Sequence, residues 1–350
     1  MNYLLALVGA WILAMILVPI IKKVAIKSGV IDRPDLARKN HEKPTPLLGG
    51  LAIFLAVSIL ILLFRLFRLA DFSLISDFKL FMVILGGGLI MMGGFLDDKY
   101  NLKPWQQVIW PVAAALLAVG SGITIGYVTN PLGGPNNALL YLSGGLGAVI
   151  SFVWLMGMMY TTKFLDGLDG LASGIATIAA ILIFFLGLNW DLPNSATGIL
   201  ALIFAGATVA FLFFNWRPAK IFLGEGGSVY LGFMLGLLSI ISGSKIATTL
   251  LVMGIPALDV LLVIIQRLSK KESPFSHADR KHLHYRLIDA GFSPSGAVLF
   301  LCLMSLLFGA VSVISQTWGK LIGLAGVIIF MTVLFFIIKS KSYDRNTSSN

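Results

Sequence analysis

The chain has 350 residues, of which 57% are hydrophobic and only 12% charged, with a formal net charge of +10. A soluble domain carries roughly 25% charged residues, so this composition excludes an ordinary soluble protein and implies an integral membrane protein. The single cysteine, Cys302, lies inside an apolar run, which excludes a disulfide framework and reads as packing rather than as a nucleophile.

Hydropathy places eleven spans near 3–22, 47–67, 79–96, 105–121, 143–164, 168–188, 196–214, 227–242, 246–266, 294–314 and 319–338. The fold class is therefore all-α and polytopic: about 20 apolar residues cross a bilayer as a helix, and lipid offers no partner to open backbone groups. The chain reads as a single transmembrane domain over 1–350, its connections being too short for separate cores, with a tail over 340–350 expected to be disordered. The first span begins "MNYLLALVGAW" without a basic leader or a small-residue cleavage site, so it is expected to be retained with its N-terminus outside. That orientation leaves only Arg65, Arg68, Lys79, Lys245 and Lys320 of the 26 Lys and Arg on the outer side, as the positive-inside rule requires. The basic inner face suits membrane lipids and anionic substrates, and no nucleic-acid module is present.

With that topology Asp71, Asp77 and Asp191 lie outside, Asp259 lies within a span, and the other acids lie on or near the inner side. The first cluster in chain order is "GGFLDDKYNLKPW", where Asp97 and Asp98 repel each other unless a cation or basic group stands by them. A solvated helix end with Lys99 as counterion is the plain alternative. On the outer side, "GITIGYVTNPLGGPNN" (122–137) is expected to form a short hairpin or a re-entrant piece. In "KFLDGLDG" (163–170), Asp166 and Asp169 share a face if helical, and Gly167 and Gly170 leave the backbone open to close approach. The alternative is that Asp166 caps the next span, with Asp169 near its positive end.

Further along, "IFLGEGGSVY" surrounds Glu225 with glycines in a loop whose N–H groups suit an anion. Asp259, in "GIPALDVLLV", is the deepest acid and reads equally as functional or as a packing anchor. "HADRKHLHYRL" sets His282 and His284 two apart, a spacing that a loop or strand can aim into one cleft and a helix would not. Zinc lacks a cysteine or an i, i+4 histidine pair here; with Arg280, Lys281 and Arg286 nearby, contacts to phosphate oxygens fit better. Acids, glycines and basic loops at one membrane face together imply metal-assisted phosphoryl chemistry on a lipid, with Mg²⁺ as the oxygen-seeking cation.

The motifs "IDRPDLARKNHEKPTPLLGG", "FLDDKYNL", "FLDGLDGLASG", "FLGEGGS", "PALDVLLVIIQRL" and "PFSHADRKHLHYRLIDAGFS" follow one another along nearly the whole chain. In that order the chain resembles the polyprenyl-phosphate N-acetylhexosamine-1-phosphate transferases of glycosyltransferase family 4. The resemblance implies transfer of a HexNAc-1-phosphate, GlcNAc-1-phosphate first, from a UDP-N-acetylhexosamine to undecaprenyl phosphate, releasing UMP. It also implies a bacterial cell membrane, a cytoplasmic active site and the start of a cell-envelope glycan. "HADRKHLHYRL" looks like the branch that initiates teichoic acid, O-antigen or related glycans. The phospho-MurNAc-pentapeptide transferase of peptidoglycan synthesis is the alternative, and a transporter or flippase is the alternative of another class.

Carried over residue by residue, the resemblance implies Asp97 and Asp98 near the lipid phosphate and metal, and Asp166 and Asp169 around nucleotide and metal. Glu225 stands at the position of a metal-binding aspartate, His282 and His284 match histidines near the diphosphate, and His41, Lys43 and Lys103 are further matches. Mg²⁺, or Mn²⁺, is the implied cofactor, with Asp98, Asp169 and Glu225 as its ligands, and a homodimer is compatible with the chain. Two positions depart from the family pattern: Lys163 stands where asparagine is usual, and Glu225 where aspartate is usual. These opposite charges are expected to face each other across the cleft, as an ion pair or with the ammonium neutralising substrate charge.

Overall fold

The structure is a computed structural model that describes residues 1–32, 44–73, 75–133, 139–190, 195–243, 246–270 and 282–348. In chain order its elements are α1 (Asn2–Lys27), β1 (Ile31–Asp32), β2 (Thr45–Pro46), α2 (Gly49–Leu66), α3 (Asp77–Tyr100) and α4 (Pro104–Gly120). There follow β3 (Tyr127–Thr129), β4 (Leu139–Tyr141), α5 (Gly144–Leu165), α6 (Leu171–Trp190), α7 (Ala196–Asn215) and α8 (Gly224–Ile241). The chain closes with α9 (Ile246–Ser269), α10 (Leu283–Asp289), α11 (Pro294–Ile314) and α12 (Thr317–Ser348).

Among the described residues ten helices, all but α4 and α10, are long and apolar enough to cross a membrane. Each expected span coincides with a helix, but α4 has only 17 residues. At 1.5 Å per residue it rises about 25 Å, short of a ~30 Å hydrocarbon core. Helix α12 runs on to Ser348, with no glycine or proline after Gly326 to end it. The segment at 122–137 supplies the first strand of an antiparallel hairpin, Tyr127 pairing with Tyr141 and Thr129 with Leu139.

Helix α8 is the axis of the bundle: 89% of its apolar window is buried, against 17% for the peripheral α12. A helix apolar on all sides belongs in the interior, and glycines let its neighbours reach its backbone. A Cβ on Gly50 of α2 would overlap Gly227, and one on Gly94 of α3 would overlap Gly226. Small residues at the contact are how helices associate where lipid is as apolar as leucine. On the outside, α1 lays its buried Ala6, Ala10 and Ala14 against α7, where Gly206 meets the Leu7 backbone.

The connections gather the polar groups at one end. Gly49 N–H donates to Phe222 O, Gly50 N–H to Leu223 O, and Phe222 N–H to Pro46 O, so the strand before α2 is tied to the turn before α8. That end holds the C-termini of α3, α5 and α7 and the N-termini of α6 and α8. At the opposite end Arg65, late in α2, pairs with Asp77 at the start of α3.

Candidate active site

Asp97 and Asp98 occupy the last turn of α3, and each is held by a different element. Asp97 Oδ1 accepts from Leu102 N–H (2.8 Å) and Gln107 Nε2 (3.1 Å). Asp98 points the other way, its two oxygens accepting from Glu225 N–H at 3.1 and 3.2 Å. The expected glycine loop around Glu225 is thus the first turn of α8, and the anion its N–H groups meet is Asp98. This is the favourable position for a carboxylate at a helix N-terminus. Gly224 permits it: its φ is +74°, and a Cβ there would lie 2.5 Å from Asp98 Oδ2.

Lys163, in the last turn of α5, forms an ion pair with Glu225, so the two departures from the family pattern do face each other. The same ammonium donates to Gln107 Oε1 (3.1 Å) and lies 5.8 Å from the centre of the Tyr160 ring. Gln107 therefore joins Asp97 to Lys163. It was not singled out from the sequence, where its only signal is a polar side chain early in an apolar helix.

The turn 166–170 carries the next two carboxylates. Asp166 is the C-cap of α5 and Asp169 precedes α6, so the pair lies in a turn, not on a helix face, and Asp166 does not cap the following span. Asp169 Oδ2 accepts from Ala219 N–H (3.1 Å). Buried Asn215 fixes the turn from the other side: its Oδ1 accepts from Gly170 N–H (3.0 Å) and Ser173 Oγ (3.1 Å), and its Nδ2 donates to Ile221 O (3.1 Å). Asn215 was also missed, being one polar residue at the end of an apolar run. Burial, then the neighbouring carboxylates of Glu225 and Asp169, push the Asp166 carboxyl up to about 7.

The histidines arrive on α10. His282 is its N-cap, with extended backbone, and His284 follows inside the first turn, so the helix start turns both rings to one side. The rings are parallel, 5.8 Å apart, and Phe164 stacks on His282 at 5.7 Å. Asp259, from the middle of α9, lies 2.9 Å from His282 Nδ1 and accepts from Leu283 N–H at 2.9 Å. It anchors α10 and in doing so orients His282, as the packing-anchor reading of this deep acid expects. His284 Nε2 is buried against Gly167 with no hydrogen-bond partner among the described residues. Burial, with a smaller effect of His282, depresses its pKa to about 3, so the ring is neutral at physiological pH. Tyr285, a third missed residue, donates its hydroxyl to Gly167 O (3.2 Å).

Two further expected contacts lie on α10 and at the start of α4. Arg286 lies over the Phe335 ring at 5.0 Å, beside α12, and Lys103 is exposed at the N-cap of α4. Lys43, Arg280, His41 and Lys281 fall outside the described residues.

The acids meet the requirements of Mg²⁺ only in part. Among the described residues no three His, Cys, Asp or Glu side chains form a ready ligand set. An all-oxygen cluster offering one or two carboxylates, to be completed by substrate phosphates and water, is nevertheless how Mg²⁺ is usually held, and of the expected ligands Asp98 and Asp169 suit that role, Glu225 being paired with Lys163. Beside Asp98 opens an apolar groove of about 310 Å³ lined by Leu48, Leu51, Phe54, Met91, Met92 and Phe95.

Comparison with known proteins places this geometry in a family. The model of "Glycosyl transferase family 4" matches residues 80–243, the stretch from α3 to α8 that carries the acidic cluster. The chain is 31% identical to the decaprenyl-phosphate N-acetylglucosaminephosphotransferase of Mycolicibacterium smegmatis, over 95% of this chain and 88% of that one. It is 29% identical to a probable undecaprenyl-phosphate N-acetylglucosaminyl 1-phosphate transferase of Bacillus subtilis, over 95% and 91%. An undecaprenyl-phosphate alpha-N-acetylglucosaminyl 1-phosphate transferase of Yersinia pestis is 26% identical over 89% and 83%. The chain belongs to glycosyl transferase family 4.

Proposed function

We propose that the protein transfers a HexNAc-1-phosphate, GlcNAc-1-phosphate first, from a UDP-N-acetylhexosamine to a polyprenyl phosphate such as undecaprenyl phosphate. The observation that carries this reading is the convergence of five carboxylates, Asp97, Asp98, Asp166, Asp169 and Glu225, with the His282 and His284 rings at one end of an apolar bundle. A transporter would place its polar groups near the bilayer midplane. The groove beside Asp98 offers an apolar wall to the first isoprene units of the lipid. The positive-inside bias supports a cytoplasmic reading of this end, the side on which UDP-sugars are made in a bacterial cell.

The chemistry asks more of alignment than of proton removal. A phosphate monoester has its second pKa near ~6, so the acceptor is mostly ionised at neutral pH and a strong general base is unnecessary. An oxygen of the lipid phosphate bonds to the β-phosphorus of the donor as the bond to the bridging oxygen breaks. The electron pair leaves with UMP, and the product is a polyprenyl-diphospho-sugar. Mg²⁺ held by one or two carboxylates, Asp98 and Asp169 first, would supply neutralisation of the diphosphate charge. Neutral His284 adds a hydrogen-bonding group rather than charge, and Asp259 holds His282 beside it.

UMP release by purified protein, with undecaprenyl phosphate and a panel of UDP-sugars, tests the reading. Release with UDP-GlcNAc that is abolished by EDTA is expected. Preference for UDP-MurNAc-pentapeptide would move the protein to the peptidoglycan branch, and no release with any sugar would remove the transferase reading.

A further inference from the structure

Lys163 is the one described basic side chain with an ion pair inside this acidic cluster, and three elements hold it there. It comes from α5, pairs with Glu225 of α8 and donates to Gln107 of α4, whose amide in turn donates to Asp97 of α3. The pair is mostly shielded, with side-chain exposures of 19% for Lys163 and 24% for Glu225. In such a setting attraction between opposite charges is several-fold stronger than in water. A charged pair is also costly to separate there, because each partner would be left poorly solvated.

The other carboxylates are disposed differently. Among the described residues the hydrogen-bond partners of Asp97, Asp98 and Asp169 are neutral N–H groups. Among the described residues Glu225 is the one of the five in an ion pair with a basic side chain. Its own backbone N–H meanwhile secures Asp98, so the residue is needed in place whether or not its side chain is free.

We propose that Lys163 is a resident cation: it neutralises Glu225, withdraws that carboxylate from metal binding, and leaves the divalent cation to one or two of the remaining carboxylates, Asp98 and Asp169 first. This rests on the transferase reading for its metal but concerns which side chains compete for it. Lys163 thereby stabilises the metal-free cluster and sets how tightly a divalent ion binds. It is a positioning residue for Glu225 and Gln107, and it lowers the number of negative charges that the metal and substrate must meet.

Mn²⁺ binding, followed by electron paramagnetic resonance on detergent-purified protein without substrate, tests this directly. Lys163→Gln and Lys163→Met are expected to bind Mn²⁺ about tenfold more tightly than the unaltered chain, because a competing charge is gone. Both should melt lower in EDTA and regain stability with Mg²⁺. Lys163→Arg should stay within about threefold of the unaltered chain. Lys163→Gln combined with Glu225→Gln should return close to it, as expected for two coupled residues. Unchanged or weaker Mn²⁺ binding in Lys163→Gln would overturn the proposal, as would a double variant that binds no Mn²⁺. If Lys163 variants do not fold, Glu225→Gln decides: the freed ammonium should weaken Mn²⁺ binding without abolishing it, and complete loss would make Glu225 a ligand. UMP release by the unaltered protein decides the transferase reading separately.

Discussion

His284 stands where it does because residue 167 has no side chain: a Cβ there would overlap its Nε2. Gly167→Ala should therefore push α10 off the turn 166–170, and a small displacement at a reacting centre is costly. A loss of about tenfold or more in kcat for UMP release is expected, with the melting temperature little changed. Wild-type kcat in this variant would show that His284 does not serve the reaction. Asp166 makes a second prediction, this time of pH dependence. Its carboxyl is raised to about 7 by burial and by Glu225 and Asp169, against ~3.9 in an unfolded chain. Between those values the unfolded chain ionises before the folded one, so the fold loses stability as pH rises through that window and loses no more above it. In EDTA, Asp166→Asn should accordingly melt higher than the unaltered protein at about pH 8, and the gap should close toward about pH 4. A gap that is constant with pH would mean that the carboxyl sits in water.

The helices meet at backbone distance only where glycines allow it, and this couples packing to the site. Gly94 on α3 and Gly226 on α8 are in contact one turn from the Asp98 to Glu225 N–H hydrogen bonds. Gly94→Ala should separate the two helices, lower the melting temperature by several degrees and depress transfer. Gly157, within α5, has open space around its Cα. There alanine should be neutral or stabilise by about 0.5 to 1 kcal/mol through helix propensity. Thermal melts of the two variants side by side separate a packing effect from a general intolerance of added methyl groups. Helix α10 depends on a contact of a different kind, because Asp259 accepts from both His282 and Leu283. The spacing of the histidines argued for a loop or strand. A helix start satisfies the same geometry, since an N-cap residue keeps an extended backbone while the next residues turn.

The bundle was legible because each span is a long apolar run, and the membrane forces such a run into a helix. The polar end was legible because, Asp259 apart, acids interrupt those runs at their boundaries. The facing of Lys163 and Glu225 could be read from opposite charges at two motif positions. What stayed hidden depends on tertiary docking: Gln107 and Asn215 each have a hydrogen-bond partner, Lys163 and Gly170, that lies 56 and 45 positions away in sequence. Arg286, expected as a phosphate ligand beside the histidines, lies over the Phe335 ring, a contact that no sequence spacing announced. Glycines around Glu225 looked like a loop because they permit one; here they permit helix contact as well. The most direct test of the proposed reaction is the fate of phosphorus. With UDP-GlcNAc labelled in its β-phosphate, purified protein and undecaprenyl phosphate, the label is expected in the lipid extract, while label in the α-phosphate stays in UMP. Label from the β-phosphate remaining with a released nucleotide, or no transfer to lipid at all, would contradict it.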